Sequence, residues 1–438
     1  MASLPPGPRS ALWSMARYLR DPMGVMPALA REHGDPFTIP GEVPLVCAGT
    51  PAGIQAIYRA DPEALTPLSD DLAFVLGESS LILIGGAAHR RRRKLMGPPF
   101  RGARMRSYGA AMRRIAAEHV AGWGRGATVD VYAAAQRISL AVILEVVFGV
   151  DDREGRGALG HLLLDYVERF SPLLALFPAL RRPFAGVGPY AALLRRRAAL
   201  HRRLDALIAA AREDPGREDI LSLLVAARDE DGAPMTDEDI RAQLVLLVVA
   251  GHETTAISIA WALDALHRPE NAAAYARLRD ELDALGPAPE IADVAAQPYL
   301  GAACDEALRR FPLAPAPAPR RLLRPLELAG YALPAGVAVA AAIGVAHLDP
   351  RTYPDPLRFR PERFLERSFS PFEFLPFGGG ARRCLGAALA SYEMRIVVAT
   401  ILRAVDLRLA STRPLRVKLR AANVGPAAGV KMIVTSRR

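Results

Sequence analysis

The stretch LVLLVVAGHETTAISIAWALDAL, residues 244–266, constrains the fold more than any other. It is long and apolar enough to cross a bilayer, yet His252, Glu253, Thr254 and Thr255 interrupt it. A lipid-facing helix would carry such groups at considerable cost, so the segment is expected to be a helix buried inside protein. A helix buried on all sides needs neighbours on all sides. With 438 residues, 51% of them hydrophobic and 23% charged, the chain has the apolar content to supply them.

The remaining sequence is mainly helical in pattern. From about 101 to 285 apolar residues recur at helical spacing, with few strand signals. PFTI (36–39) and PLVCAG (44–49), joined by a Pro-Gly turn, predict a hairpin. Prolines and short apolar runs between 310 and 350, such as GVAVAAA (336–342), predict short strands; PDPLRFRPERF (354–364) predicts an irregular meander, and helix returns after Gly386. PLAPAPAPRR (312–321) can donate few ladder hydrogen bonds and is expected as an edge strand or loop. The expected fold class is mainly α with a small β portion drawn from both ends of the chain. That interleaving argues for one domain, 1–438, although length alone would suggest more.

The first residues, MASLPPGPRSALWSMARYL, lack the continuous apolar core of a signal peptide. A net charge of +10 suggests an acidic partner surface, and no recognised nucleic-acid motif accompanies it. Three scattered cysteines, Cys47, Cys304 and Cys384, make no disulfide framework, which fits a reducing cytosol and a cytoplasmic location.

Four constellations carry chemistry. In FLPFGGGARRCLG (374–386), Cys384 follows Arg382 and Arg383, whose charge would favour a thiolate, and Gly378 to Gly380, which let a backbone pass close to a flat ligand. A buried structural cysteine beside a flexible loop is the plainer reading. In AGHETT (250–255), Ala250, Glu253 and Thr254 share a helix face, Gly251 leaves room beside it, and an acid next to an alcohol in an apolar core is costly unless it works or is well bonded. In EALR, Glu306 and Arg309 stand at ion-pair spacing, with Arg363 of PERF downstream. In HRRRRK (89–94), His89 and Arg93 face one way and Arg90, Arg91, Arg92 and Lys94 another. That second group is either a solvated face or, the favoured reading, a docking patch for an acidic electron carrier.

Phe377-x-x-Gly380-x-Arg382-x-Cys384-x-Gly386 resembles the haem-thiolate loop of the cytochromes P450. The other three constellations match that family's motifs, in its order, over residues 86 to 386. The resemblance implies the cytochrome P450 fold, a triangular helical prism with haem b between the central buried helix and the cysteine loop. It implies Cys384 as the iron ligand, with Phe377, Gly378, Gly386 and Ala250 against the cofactor. His89, Arg93, Arg320 and Arg382 would hold the haem propionates. Glu253 and Thr254 would deliver protons to the oxygen being reduced, and Glu306, Arg309 and Arg363 would form a structural lock. It further implies O2 as co-substrate, NAD(P)H used only through redox partners, and an acidic ferredoxin or flavodoxin-type donor. Only three residues precede LPPGPR (4–9), which suggests a bacterial-type member with no membrane anchor; a monomer is expected.

Segments matching the family's substrate pocket offer Phe74, Leu81, Leu246, Val249, Ala250, Ala316 and Val424 as lining candidates. Glu78 is the only charge among these segments, so a compact apolar skeleton fits: a terpenoid first, a steroid second, a fatty acid third. Arg169, in the apolar stretch from His161, could still anchor an acid. Rival functions are a peroxygenase or isomerase relative, a haem-binding sensor or carrier without such chemistry, and a basic nucleic-acid binder.

Overall fold

The computed structural model describes residues 4–68, 72–102, 104–168, 174, 178–182, 186–315, 319–420 and 423–438. Contacts gather the chain into two compact units, one comprising Met1–Leu68, Met112–Ile138 and Thr254–Arg438, the other Ser69–Ala111 and Ser139–Glu253. The 30-residue helix Asp237–Leu266 contains the apolar stretch, and the division falls within it, between Glu253 and Thr254. Asp237, Glu238 and Asp239 occupy its first turn, where carboxylates favour the positive helix end, and the Thr236 hydroxyl accepts from the Asp239 N–H at 3.1 Å.

The first unit holds the β portion. Its five-stranded sheet runs Phe37–Ile39, Leu45–Ala48, Ala338–Ala341, Arg320–Leu322, Leu65–Pro67. The predicted hairpin forms, with Phe37 opposite Cys47. Leu45–Ala48 then pairs in parallel with Ala338–Ala341, a strand buried at all four positions. Its alanines lack strand propensity, but burial on both faces selects small side chains there. In the proline-rich stretch, the described residues 312–315 and Pro319 are loop, one of the two arrangements expected of it, and Arg320–Leu322 follows as a strand inside the sheet. That strand pairs on both sides, because the prolines end at Pro319 and the following N–H groups can join a ladder. Thr128–Asp130 was not legible in its helical surroundings; it is three residues long and exists through pairing with Lys431–Arg437.

The second unit is built on helices. Arg153–Glu168 and Ile220–Ala226 both pack against the 25-residue helix Pro189–Glu213. The Tyr166 hydroxyl donates to the Val75 carbonyl at 2.6 Å, and Arg196 pairs with Asp165 at 2.7 Å.

Within the first unit, the helix Pro298–Arg310 carries a buried ion cluster. Glu306 accepts from Arg309 Nε at 2.6 Å and Nη2 at 2.8 Å, from Arg363 Nε at 3.3 Å, and from the Arg360 backbone N–H at 2.8 Å. One carboxylate faces two guanidinium groups, so a positive charge is left over. Carbonyls absorb it: Arg309 donates to His347 at 2.7 Å, and Arg363 donates to Asp355 at 2.8 Å and to Pro354. These contacts pin the meander 354–364 to the helix. Glu306→Ala would leave two buried guanidinium groups without their counter-charge, at a cost of about 3–5 kcal/mol. Urea unfolding should show a midpoint lowered to match, and an unchanged midpoint would mean that the meander is held by other contacts.

Candidate active site

Cys384 is the accessible thiol of the three. Cys47 and Cys304 are buried, and burial raises both thiols well above the ordinary range, Cys304 to about 12. The Cys384 loop folds back on itself: its N–H donates to the Phe377 carbonyl at 2.9 Å, and the Gly378 N–H to the Leu375 carbonyl at 3.0 Å. Gly378 and Gly380 adopt φ of +66° and +62°, a region that favours glycine. Gly379 and Gly380 are needed for a second reason. A Cβ on Gly379 would stand 2.3 Å from Tyr58 Cδ2, and one on Gly380 2.5 Å from the Tyr58 carbonyl oxygen. Gly386 caps the 18-residue helix Ala387–Ala404, which sets Cys384 at a positive helix end that favours the thiolate.

Tyr58 links this loop to Arg320. The Arg320 guanidinium lies over the Tyr58 ring, 5.7 Å from its centroid. Burial pulls Arg320 below its ordinary value, and it has no carboxylate partner among the described residues. Burial pushes the Tyr58 phenol up to about 12, so it stays protonated, and its buried hydroxyl has no hydrogen-bond partner among the described residues. A desolvated cation and an unsatisfied donor beside a glycine cradle and an accessible thiol fit a flat cofactor that carries carboxylates and an iron. Among the described residues, no group of three or more His, Cys, Asp or Glu could hold a metal ion, so an iron on Cys384 would need its other ligands from a cofactor.

In the helix Asp237–Leu266, residues on either side of the motif are largely buried, but Ala250 is exposed and Gly251, His252, Glu253 and Thr254 are half-buried. The space that Gly251 leaves is taken by Ile143, whose Cδ1 lies 2.8 Å from where a Cβ would stand; it is not room for a ligand. Ser258 donates to the Thr254 carbonyl at 3.0 Å, a back-bond that loosens the helix there. Burial lowers His252 to about 4, so it is neutral at physiological pH.

The helix Gly86–Met96 buries His89 and half-buries Arg93. Three of the other four cations of its basic run are not the open patch expected. Arg91 pairs with Asp229 and, at 3.1 Å, with Asp231; Arg92 pairs with Asp239 at 2.7 Å; Lys94 pairs with Glu230 at 2.5 Å. A tight turn closed by the Asp229 N–H on the Ala233 carbonyl aims Asp229, Glu230 and Asp231, and Asp239 stands in the first turn of the long helix; all lie some 140 positions away in sequence.

Of the pocket candidates, Leu81, Leu246 and Val424 are buried, Phe74 and Val249 are half-buried, and Ala316 lies outside the described residues, as does Arg169. Val424 is anchored by its N–H to the Leu313 carbonyl at 2.7 Å, which brings its strand to the start of the proline-rich stretch. Glu78 is exposed. Arg382 is half-buried in the short turn Gly380–Arg382.

Sequence reasoning missed Tyr58 and His347. Tyr58 reads as core, at helical spacing with Ile54 and Ile57. His347 is fully buried, and its Nε2 accepts from the Leu375 N–H at 3.0 Å. It therefore ties the ion cluster, which grips its carbonyl, to the turn that starts the cysteine loop.

The cytochrome P450 family model matches residues 4–425. A Mycobacterium tuberculosis protein named cytochrome P450 135B1 is 38% identical, over 99% of this chain and 92% of the relative. Cytochrome P450 135A1 of the same organism is 33% identical, over 91% and 88%. Among solved structures, retinoic acid-bound cyanobacterial CYP120A1 aligns with a TM-score of 0.85 at 25% identity, over the whole of both chains. The haem domain of cytochrome P450DA aligns with a TM-score of 0.86 at 24% identity, over 100% of this chain and 99% of that one.

Buried histidines make the stability of the fold depend on pH. Burial lowers His347 from 6.5 to about 3 and His267 to about 4. Below pH 6.5 the unfolded chain takes up protons that the folded chain refuses, so stability is full above that value and falls with pH. Each group contributes a slope of about 1.4 kcal/mol per pH unit. Chemical denaturation between pH 7 and 5 should show this loss. His347→Gln keeps an acceptor for Leu375 and should reduce the slope by one proton; an unchanged slope would place the proton uptake elsewhere.

Proposed function

The chain belongs to the cytochrome P450 family, and from that premise we propose which residues carry its chemistry and what it acts on. It is a haem-thiolate monooxygenase; the family uses haem b and O2, with NAD(P)H reached through redox partners. When bound, haem supplies the redox centre that makes one oxygen atom of O2 transferable to an organic substrate and releases the other as water.

Cys384 would hold the iron, its thiolate favoured by the helix end behind it. Arg320 and the Tyr58 hydroxyl would receive haem carboxylate in the first unit, with Arg382 half-buried in the turn before Cys384. His89 and Arg93 would do so in the second. Phe377, Gly378, Gly386 and Ala250 would lie against the cofactor. Glu253 would supply protons and Thr254 would position them, while neutral His252 is too weakly basic to compete. Glu306, Arg309 and Arg363 act only as structure. The observation that carries this reading is the accessible Cys384 thiol on a glycine turn packed against Tyr58 and the carboxylate-free Arg320.

The substrate is a small apolar molecule, a terpenoid before a steroid before a fatty acid. The apolar candidate segments support this, and a similar solved structure binds retinoic acid, itself an isoprenoid. Cys384→Ala should lose the thiolate-type Soret band of the reduced carbon monoxide complex, and a retained band would unseat Cys384 as ligand. In the parent protein, sesquiterpenes should shift the ferric Soret band at lower concentration than medium-chain fatty acids. The opposite order, abolished by Arg169→Ala, would reverse the ranking. Thr254→Ala should still bind substrate while diverting electrons to hydrogen peroxide; unchanged coupling would remove Thr254 from proton delivery.

The electron donor is an acidic ferredoxin or flavodoxin-type protein. Because Arg91 and Lys94 already pair with acids of the 229–231 turn, and Arg92 with Asp239, such a donor must compete with these acids. Replacing Asp229, Glu230 and Asp231 together by Asn, Gln and Asn should therefore speed reduction at low salt by about tenfold and steepen its salt dependence. An unchanged rate would move the docking face away from this helix.

A further inference from the structure

Most amphipathic surface helices turn their apolar stripe inward. The helix Ala11–Arg20 does the reverse. Leu12, Met15 and Leu19 are 84%, 56% and 58% exposed, and with exposed Ala16 they stand at i, i+3, i+4 and i+7 on one face. Trp13, 47% exposed, borders the stripe. The opposite side carries buried Ser14 and half-buried Tyr18, which packs on the core around Val25, Met26 and Leu29.

This is no loose tail. Ser10 caps the helix by accepting from the Trp13 N–H at 3.2 Å. The preceding segment is stitched to the sheet, with the Thr38 N–H donating to the Pro6 carbonyl at 2.8 Å and the Thr38 hydroxyl to the Pro5 carbonyl at 2.7 Å. The outward stripe is therefore held in place by the fold.

Charge around the stripe is positive. Arg9 and Arg20 are exposed and have no ion-pair partner among the described residues, and Lys418 is exposed on the strand Val417–Arg420, against which the helix packs. Of the nearby acids, Glu32 is neutralised by Arg17 through two bonds of 2.8 Å, and Asp21 is occupied by the Gly24 N–H at 2.9 Å. Arg17 also lies over the Trp13 ring at 4.4 Å. A convex aliphatic stripe, a tryptophan at its border and flanking cations make the composition of an interfacial helix.

We propose that the helix Ala11–Arg20 docks this protein on an anionic lipid surface, with Leu12, Met15 and Leu19 inserted among the acyl chains and Trp13, Arg9, Arg20 and Lys418 at headgroup level. The inference rests on the first unit alone and does not depend on the assignment of the active site.

Vesicles of phosphatidylglycerol mixed with phosphatidylcholine, and vesicles of phosphatidylcholine alone, are the probes. The full chain should co-sediment with the former and much less with the latter, and high salt should weaken the binding. Leu12→Ser, Met15→Ser and Leu19→Ser together should weaken it about tenfold or more. These side chains are exposed, so the variant should keep its thermal midpoint. Arg9→Ala, Arg20→Ala and Lys418→Ala should remove the preference for anionic lipid. The chain has three tryptophans, and Trp123 and Trp261 are buried, so a blue shift of emission on vesicle addition should vanish in Trp13→Phe. Absence of binding to either vesicle would overturn the proposal. So would self-association that the triple serine variant abolishes while vesicle binding persists, or slower reduction by a ferredoxin in that variant with no vesicle binding in the parent.

Discussion

One carboxylate sets the terms for much of the first unit. Glu306 is fully buried, and so is Arg309; Arg363 is nearly so. Ion pairs this deep gain little net stability, because desolvation offsets most of the Coulombic attraction. What they impose is geometry. The surplus positive charge must be met by carbonyl oxygens, and those at His347, Pro354 and Asp355 can face inward only if the chain from 347 to 364 follows one path. His347 extends the constraint. Its carbonyl is held by Arg309, its neutral ring accepts from Leu375, and the turn at Leu375 leads into the loop that presents Cys384. A buried electrostatic demand in one helix thus becomes a positional constraint on a thiol nearly eighty residues later.

The parts legible in the sequence are those written by local chemistry. A long apolar run announces a core helix, a Pro-Gly turn between two β-prone segments announces a hairpin, and Cys384 among glycines and arginines announces an unusual thiol. The parts that were not legible depend on partners far along the chain. Thr128–Asp130 becomes a strand only because Lys431–Arg437 pairs with it. Tyr58 looks like any apolar-face tyrosine until the fold sets its ring against Gly379 and beneath Arg320. Gly251 looks like room for a ligand until Ile143 fills the space.

The basic run at 89–94 shows the same limit for charge. Sequence counts five cations in six residues, but a count carries no information about distant carboxylates. Asp229, Glu230, Asp231 and Asp239 are placed by tertiary structure, and they convert most of a positive stripe into ion pairs. The exposed pairs, Arg91–Asp231 and Lys94–Glu230, are weak, typically below about 1 kcal/mol. They are strong enough to lower the local field and weak enough to be exchanged for a partner's acids. A docking surface can therefore be built from pairs that open, in place of bare cations that would attract every polyanion.

Hydrophobicity by itself also misleads, in both directions. Val131–Phe148 and Asp237–Leu266 are long and apolar enough to span a membrane, yet most of each is buried within the protein. Ala11–Arg20 is too short to span and carries three charges with its flanking Arg9, yet it is where four large apolar side chains meet the solvent. The difference lies in what faces each apolar stripe. Around the long helices the fold supplies neighbours for most positions, and beyond the first turn of Asp237–Leu266 the longest run that is not fully buried is 249–254, which holds the polar residues His252, Glu253 and Thr254. Around the short helix the fold supplies neighbours for the polar side instead, with Ser14 bonded to the Ser10 carbonyl and Arg17 held by Glu32, so the apolar side is free to meet something outside the chain.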